Sequence, residues 1–259
     1  MHKHILLSCI TFFLFIVAVE GQLYALFEAK TIKDEAGKTM NYRLLSPDER
    51  FINQEKVPIL IFLHGAGERG DNNTAQLAHV LTNFVQTHAR VKYPCYIIAP
   101  QCPKNEWWTA GSYQSDGSIS WEEEPLYLQK MTMTIVDELV DNEKGDPNRI
   151  YVGGLSMGGM GTWDLMAHYP DRIAAAFPIC GWGNPVYANK IKHIPVWAFH
   201  GADDPVVPPE GTSLMIQALK QLGGQPIYTE YGGVKHASWE FPFSNHTYVF
   251  DWLFAQRKE

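Results

Sequence analysis

The sequence predicts an α/β fold: a mostly parallel central sheet with helices on both faces and an antiparallel hairpin at its N-terminal edge. Three observations predict it. From Val57 onward, short apolar runs of strand length alternate with longer stretches of helical period, the pattern left by parallel strands joined through right-handed crossovers. The run Val57-Pro58-Ile59-Leu60-Ile61-Phe62-Leu63 is apolar throughout, as a strand covered on both faces must be. Arg149 to Gly161 reads as an apolar strand, a serine with glycine two places to either side, and the opening of a helix. That is a nucleophile elbow, a turn so sharp that only glycine at the flanking positions avoids a Cβ clash.

The elements follow in order. Residues 23–31 and 38–45 have strand composition around the turn Asp34-Glu35-Ala36-Gly37, which predicts the hairpin. After the 57–63 strand come a helix over 76–86, a strand over 96–99 and a helix over 127–141. The elbow strand then leads into a helix over 160–168 and a strand over 174–179. An apolar segment from Ile194 ends at Asp203-Asp204, a helix spans 211–222, and a strand from Pro226 breaks at Gly232-Gly233. A helix over 246–256 closes the chain.

One stretch fits neither period. Residues 103–125 carry Trp107, Trp108, Tyr113 and Trp121 among Gly, Ser and Asp, and loops of that length are uncommon unless functional or disordered. The rings either form a platform for a flat substrate group or pack the loop onto the sheet. Trp108 and Trp182 are the residues expected at a substrate pocket.

A serine hydroxyl becomes a nucleophile only when an imidazole takes its proton and a carboxylate orients that imidazole. On folds that use the elbow the chain order is Ser, Asp, His. Downstream of Ser156 the chain supplies Asp203 and Asp204 just past a strand end, then His236 on a loop after the next strand. His246 also follows, but among residues that read as the start of the last helix, which favours His236. Sequence physics hardly separates Asp203 from Asp204.

Acyl transfer also needs preorganised donors for the tetrahedral oxyanion. The 57–63 strand runs into His64-Gly65-Ala66-Gly67. Its small residues let substrate approach the backbone, and its spacing matches no phosphate-binding glycine motif. The expected donors are the amide of Met157, next after the serine, and that of Ala66. His64 reads as a structural brace for this loop rather than a second base.

Together these stretches resemble the α/β-hydrolase superfamily, in particular the serine esterases that group with feruloyl esterases, polyhydroxybutyrate-depolymerase-like, dienelactone-hydrolase-like and prolyl-oligopeptidase-like proteins. The matching segments are Leu63 to Gly70, Ala99-Pro100-Gln101-Cys102-Pro103 with Trp107 and Trp108, the elbow, His200 to Pro208, and Gly232 to His236. The resemblance implies that the acid is the aspartate directly before Pro205-Val206-Val207-Pro208, which is Asp204. The chain departs from the pattern at Lys235, where many such proteins carry glycine.

Composition sets the remaining bounds. The basic start His2-Lys3-His4 and the apolar run 5–19 read as a secretory signal over 1–21, too short for a stable span. Residues 22–259 then form a single catalytic domain. A net charge of −7 offers no basic patch for nucleic acid. Cys95, Cys102 and Cys180 follow the signal, and no pairing among them is implied. No metal-ligand spacing appears, so neither metal nor cofactor is expected. The sequence therefore predicts a secreted or periplasmic serine carboxylic-ester hydrolase. Its expected substrate is a small-molecule or polysaccharide-linked ester of short-chain, acetyl or feruloyl type, with no membrane partner after signal removal. The rivals are a peptidase of prolyl-oligopeptidase-like type, disfavoured by the lack of room for an access-restricting domain, and a non-catalytic carbohydrate-binding relic.

Overall fold

A computed structural model describes residues 24–109, 111–113, 119–120, 123–243 and 248–258. The expected signal segment, Trp121 and His246 lie outside them. The hairpin forms as β1 (Glu28–Lys33) and β2 (Thr39–Leu45), paired antiparallel. At its turn the Asp34 side chain accepts the Lys38 amide at 2.8 Å, and Gly37 takes φ +85°, a conformation glycine adopts without a Cβ penalty.

Then come β3 (Val57–Leu63), β4 (Tyr96–Pro100), β7 (Gly145–Leu155), β8 (Ala175–Ile179), β9 (Trp197–Gly201) and β10 (Ile227–Tyr231). The eight-stranded order is β1-β2-β4-β3-β7-β8-β9-β10. From β4 to β10 every pairing is parallel, and β2 meets β4 antiparallel. This is the α/β-hydrolase architecture with its N-terminal hairpin at the edge. Within the 103–125 stretch, β5 (Ser112–Tyr113) and β6 (Ile119–Ser120) form a small separate ladder.

The core divides by strand parity. Ile59, Ile61 and Leu63 of β3 face one hydrophobic cluster, Leu60 and Phe62 face the other, and all seven residues of the strand are buried. Each buried aliphatic side chain here contributes roughly 1.5–3 kcal/mol. The burial on both faces explains why no polar alternation is visible in this strand.

The predicted helix over 76–86 is a correction. The chain instead makes a 3-10 turn at Ala75–Leu77, then α1 (Leu81–Phe84) and α2 (Thr87–Lys92). His79 sits at φ +64°, the left-handed region, which costs a non-glycine residue roughly 1–2 kcal/mol and cannot continue a right-handed helix. Gln86 is extended at ψ 140°, which ends α1 from the other side. The remaining helices are α3 (Tyr127–Asn142), α4 (Met157–His168), α5 (Ala188–Ile191), α6 (Glu210–Gln221) and α7 (Tyr248–Ala255).

Candidate active site

Ser156 stands between β7 and α4 at φ 53°, ψ −117°, a strained conformation of the kind that functional sites retain when their surroundings enforce it. The surroundings are visible in the flanking glycines. A Cβ on Gly158 would lie 1.9 Å from the Leu63 carbonyl oxygen, and one on Gly154 would lie 2.4 Å from that of Gly158. The β7–α4 turn is thus pressed against the end of β3, which brings the 64–66 loop beside the serine.

Asp204 and His236 arrive from β9 and β10. The loop that carries His236 turns at Gly233, φ +74°, and docks on the β9 end, where the Asp203 amide donates to the Val234 carbonyl at 3.0 Å. A Cβ on Gly201 would meet the Lys235 carbonyl oxygen at 2.2 Å, so the docking depends on glycine there. Lys235 faces this contact through its backbone, and its departure from the family pattern leaves the histidine in place.

The three side chains form one hydrogen-bonded chain. His236 Nε2 is 2.9 Å from Ser156 Oγ, and His236 Nδ1 is 2.7 Å from Asp204 Oδ2. The Asp204 Oδ1 accepts the amides of Val206 and Val207 at 2.8 and 3.0 Å. Burial alone would raise the Asp204 carboxyl, but the His236 hydrogen bond and the two amides outweigh it and hold the group below its ordinary value. Asp203, one residue earlier, is exposed.

Ala66 opens a 3-10 turn (Ala66–Glu68) and Met157 opens α4. First-turn amides of a helix lack acceptors within it, so both are suited to receive developing negative charge. His64 braces this loop: its Nδ1 is 2.6 Å from the Gly65 carbonyl, and its Nε2 accepts the Cys102 amide at 2.9 Å. Burial pushes it down to about 4, so it is the neutral tautomer with hydrogen on Nδ1. Glu68, at the end of the same turn, pairs with His79 at 3.5 Å, and Trp239 packs against both His79 and His236.

Trp108, expected at a substrate pocket, is held within the protein. It is 1 % exposed, its indole donates to the His64 carbonyl at 3.0 Å, and its Cβ occupies the space left open by Gly161. It packs the loop onto the sheet, while the neighbouring Trp107 is the exposed ring, at 48 %. Trp182 lies against Gly211 at the start of α6 and forms a small apolar cluster with Met160 and Val207, one turn beyond Ser156 and three residues beyond Asp204. Cys95, Cys102 and Cys180 are free and buried, each pushed up to about 12 by burial. His200 stands in the same His-Gly-Ala-Asp-Asp string, where no local signal marks it as part of the site. The structure puts its ring on Asp204.

Fold and elbow define an α/β hydrolase. Residues 52–246 match the model of the phospholipase/carboxylesterase family, and the chain belongs to that family. A solved thermostable esterase superposes with a TM-score of 0.81 at 37 % identity, over 92 % of this chain and 64 % of the other. Among curated proteins, the putative esterase NocK of Nocardia uniformis subsp. tsuyamanensis is 27 % identical over 74 % of this chain and 53 % of its own length. An uncharacterised secreted protein of Arthroderma benhamiae is 26 % identical over 70 % of this chain and 21 % of its own. The chain therefore spans between a fifth and about two thirds of the length of these relatives.

Proposed function

We propose that the chain is a secreted serine carboxylic-ester hydrolase that works through an acyl-enzyme on short-chain or aromatic esters. The observation that carries this reading is the unbroken chain from Ser156 Oγ through His236 to Asp204, at 2.9 and 2.7 Å. Ser156 Oγ attacks the ester carbonyl carbon while His236 Nε2 takes its proton, and the carbonyl oxygen becomes an oxyanion facing the amides of Ala66 and Met157. Collapse breaks the ester C–O bond, and His236 returns the proton to the departing alkoxide. Water then attacks the acyl-serine with His236 as base, releasing the acid and restoring Ser156. Asp204 keeps the imidazole in the tautomer with hydrogen on Nδ1 and stabilises the transient imidazolium.

Supporting the acyl preference is the small apolar cluster of Met160, Trp182 and Val207, one helical turn beyond Ser156 and three residues beyond Asp204. Supporting export are the apolar N-terminal run and the description of the Arthroderma relative as secreted. Ser156→Ala is expected to lower kcat by roughly four to six orders of magnitude and to abolish labelling by a fluorophosphonate. A panel of acetyl, butyryl, feruloyl and long-chain acyl esters tests the substrate. Wild-type turnover in the alanine variant would reject the serine mechanism, and strong preference for long acyl chains would reject the acyl assignment.

A further inference from the structure

We propose that His200 is a positioning residue, a neutral imidazole whose Nε2 hydrogen is shared between the Val207 carbonyl and the same Asp204 oxygen, Oδ2, that His236 uses. One carboxylate oxygen then serves two imidazoles. This rests on the esterase reading of the same site and extends it by one residue.

Counting protons carries the inference. His200 Nε2 faces two acceptors, the Val207 carbonyl at 2.9 Å and Asp204 Oδ2 at 3.2 Å, so Nε2 bears a hydrogen. His200 Nδ1 lies 2.8 Å from Thr212 Oγ1, which also lies 2.7 Å from the Gly181 carbonyl. Threonine has a single hydroxyl hydrogen. If it went to Gly181, Nδ1 would need its own hydrogen and the ring would be a cation in a site where His200 is 0 % exposed. If it goes to Nδ1, the ring is neutral, and the Gly181 carbonyl keeps the Trp163 indole N–H as a donor at 3.2 Å. The second arrangement pairs every group, and burial, which depresses His200, favours it.

The consequence for Asp204 is a carboxylate with four protein donors: Val206 and Val207 on Oδ1, His200 and His236 on Oδ2. His200 also anchors the Val207 carbonyl, so the 204–207 turn is held at both ends. The plane of the carboxylate is thereby fixed, and Oδ2 is aimed at His236 Nδ1 before substrate arrives. The titratable groups facing His200 are Asp204 and His236. Cys180 lies within 4.8 Å of both.

Two measurements test this. The first is the 15N spectrum of the His200 ring at pH 7, which reports the tautomer whether or not the protein hydrolyses esters. A neutral ring with hydrogen on Nε2 is expected, and an imidazolium or hydrogen on Nδ1 would overturn the proposal. The second is kinetics of His200→Leu and His200→Gln, both checked for folding by thermal melts. His200→Leu should lose about tenfold in kcat, the worth of one hydrogen bond to a charged group, with little change in KM. His200→Gln, whose amide N–H reaches the Nε2 position, should recover most of that loss. Equal losses in the two variants, or a His200→Leu loss that falls on KM rather than kcat, would overturn the proposal. If wild-type protein resists fluorophosphonate, the esterase reading fails, and the spectrum alone decides the state of His200.

Discussion

Lowering the pH from 7 to 4 is expected to cost this protein about 3 kcal/mol through His64 alone. In the folded chain the ring is buried, and its Nε2 is already committed to accepting the Cys102 amide at 2.9 Å. A proton on Nε2 would break that bond and leave two donors facing each other. The group therefore falls from an ordinary 6.5 to about 4, while in the unfolded chain it titrates near 6.5. As the pH drops below 6.5 the unfolded state takes up the proton first, so this contribution is complete above the ordinary value and drains away toward about pH 4. The slope approaches about 1.4 kcal/mol per pH unit in the middle of that window, and the sum at pH 4 is about 3 kcal/mol.

The neighbouring terms have distinguishable windows or signs. His200 is lowered too and adds loss in the same direction as the pH falls. Asp204, lowered below an ordinary 3.8, loses its contribution only at still lower pH. His79, raised by its Glu68 hydrogen bond, stabilises below its unfolded value and loses that contribution as the pH rises through its folded one. His64→Gln isolates the His64 share, because it keeps an acceptor near Nε2 without a titrating proton. The assay is urea unfolding of both proteins at half-unit steps from pH 7 to 4. Wild type should lose about 3 kcal/mol more than the variant over that range. Parallel curves would refute the reasoning.

Asp204→Asn should reduce kcat roughly 10⁴-fold by allowing the wrong imidazole tautomer, whereas Asp203→Asn should stay within a few-fold of wild type, since that residue is exposed. Steady-state kinetics on a nitrophenyl ester separates them. Gly158→Ala would set a methyl group 1.9 Å from the Leu63 carbonyl oxygen and should destabilise by about 3 kcal/mol or more, a fall in melting temperature of ~10 °C. Unchanged melting would deny the close approach at the elbow. Cys95, Cys102 and Cys180, each pushed up to about 12, should resist a thiol reagent at pH 8 in the folded protein and react together on unfolding. Peptide mapping after labelling reads this out.

Most of the scaffold was legible in the sequence because its signals are local. Seven consecutive apolar residues in β3 announce burial on both faces, and Ser156 between two spaced glycines announces the turn. The signals that failed are those where distant chain decides a local conformation. Nothing between Gln76 and Gln86 forbids a helix, yet His79 is held left-handed where it meets Glu68 from the β3 end and Trp239 from the loop after β10. Trp107 and Trp108 are chemically identical neighbours, and which one is buried depends on the gap that Gly161 leaves in α4.

The sequence by itself determined the fold class, the alternation of strands and helices along the chain and the serine that the sharp turn presents, since each follows from backbone preference and hydrophobic period within a few residues. Only the tertiary structure separated Asp204 from Asp203 by geometry, fixed the partners and the neutral state of His64 and brought His200 onto the same carboxylate. Those outcomes depend on which groups face one another across β3, β9 and β10. Hydrogen-bond partners some 30 residues apart or more, such as His236 and Asp204 or Cys102 and His64, leave no periodic trace in the chain that joins them.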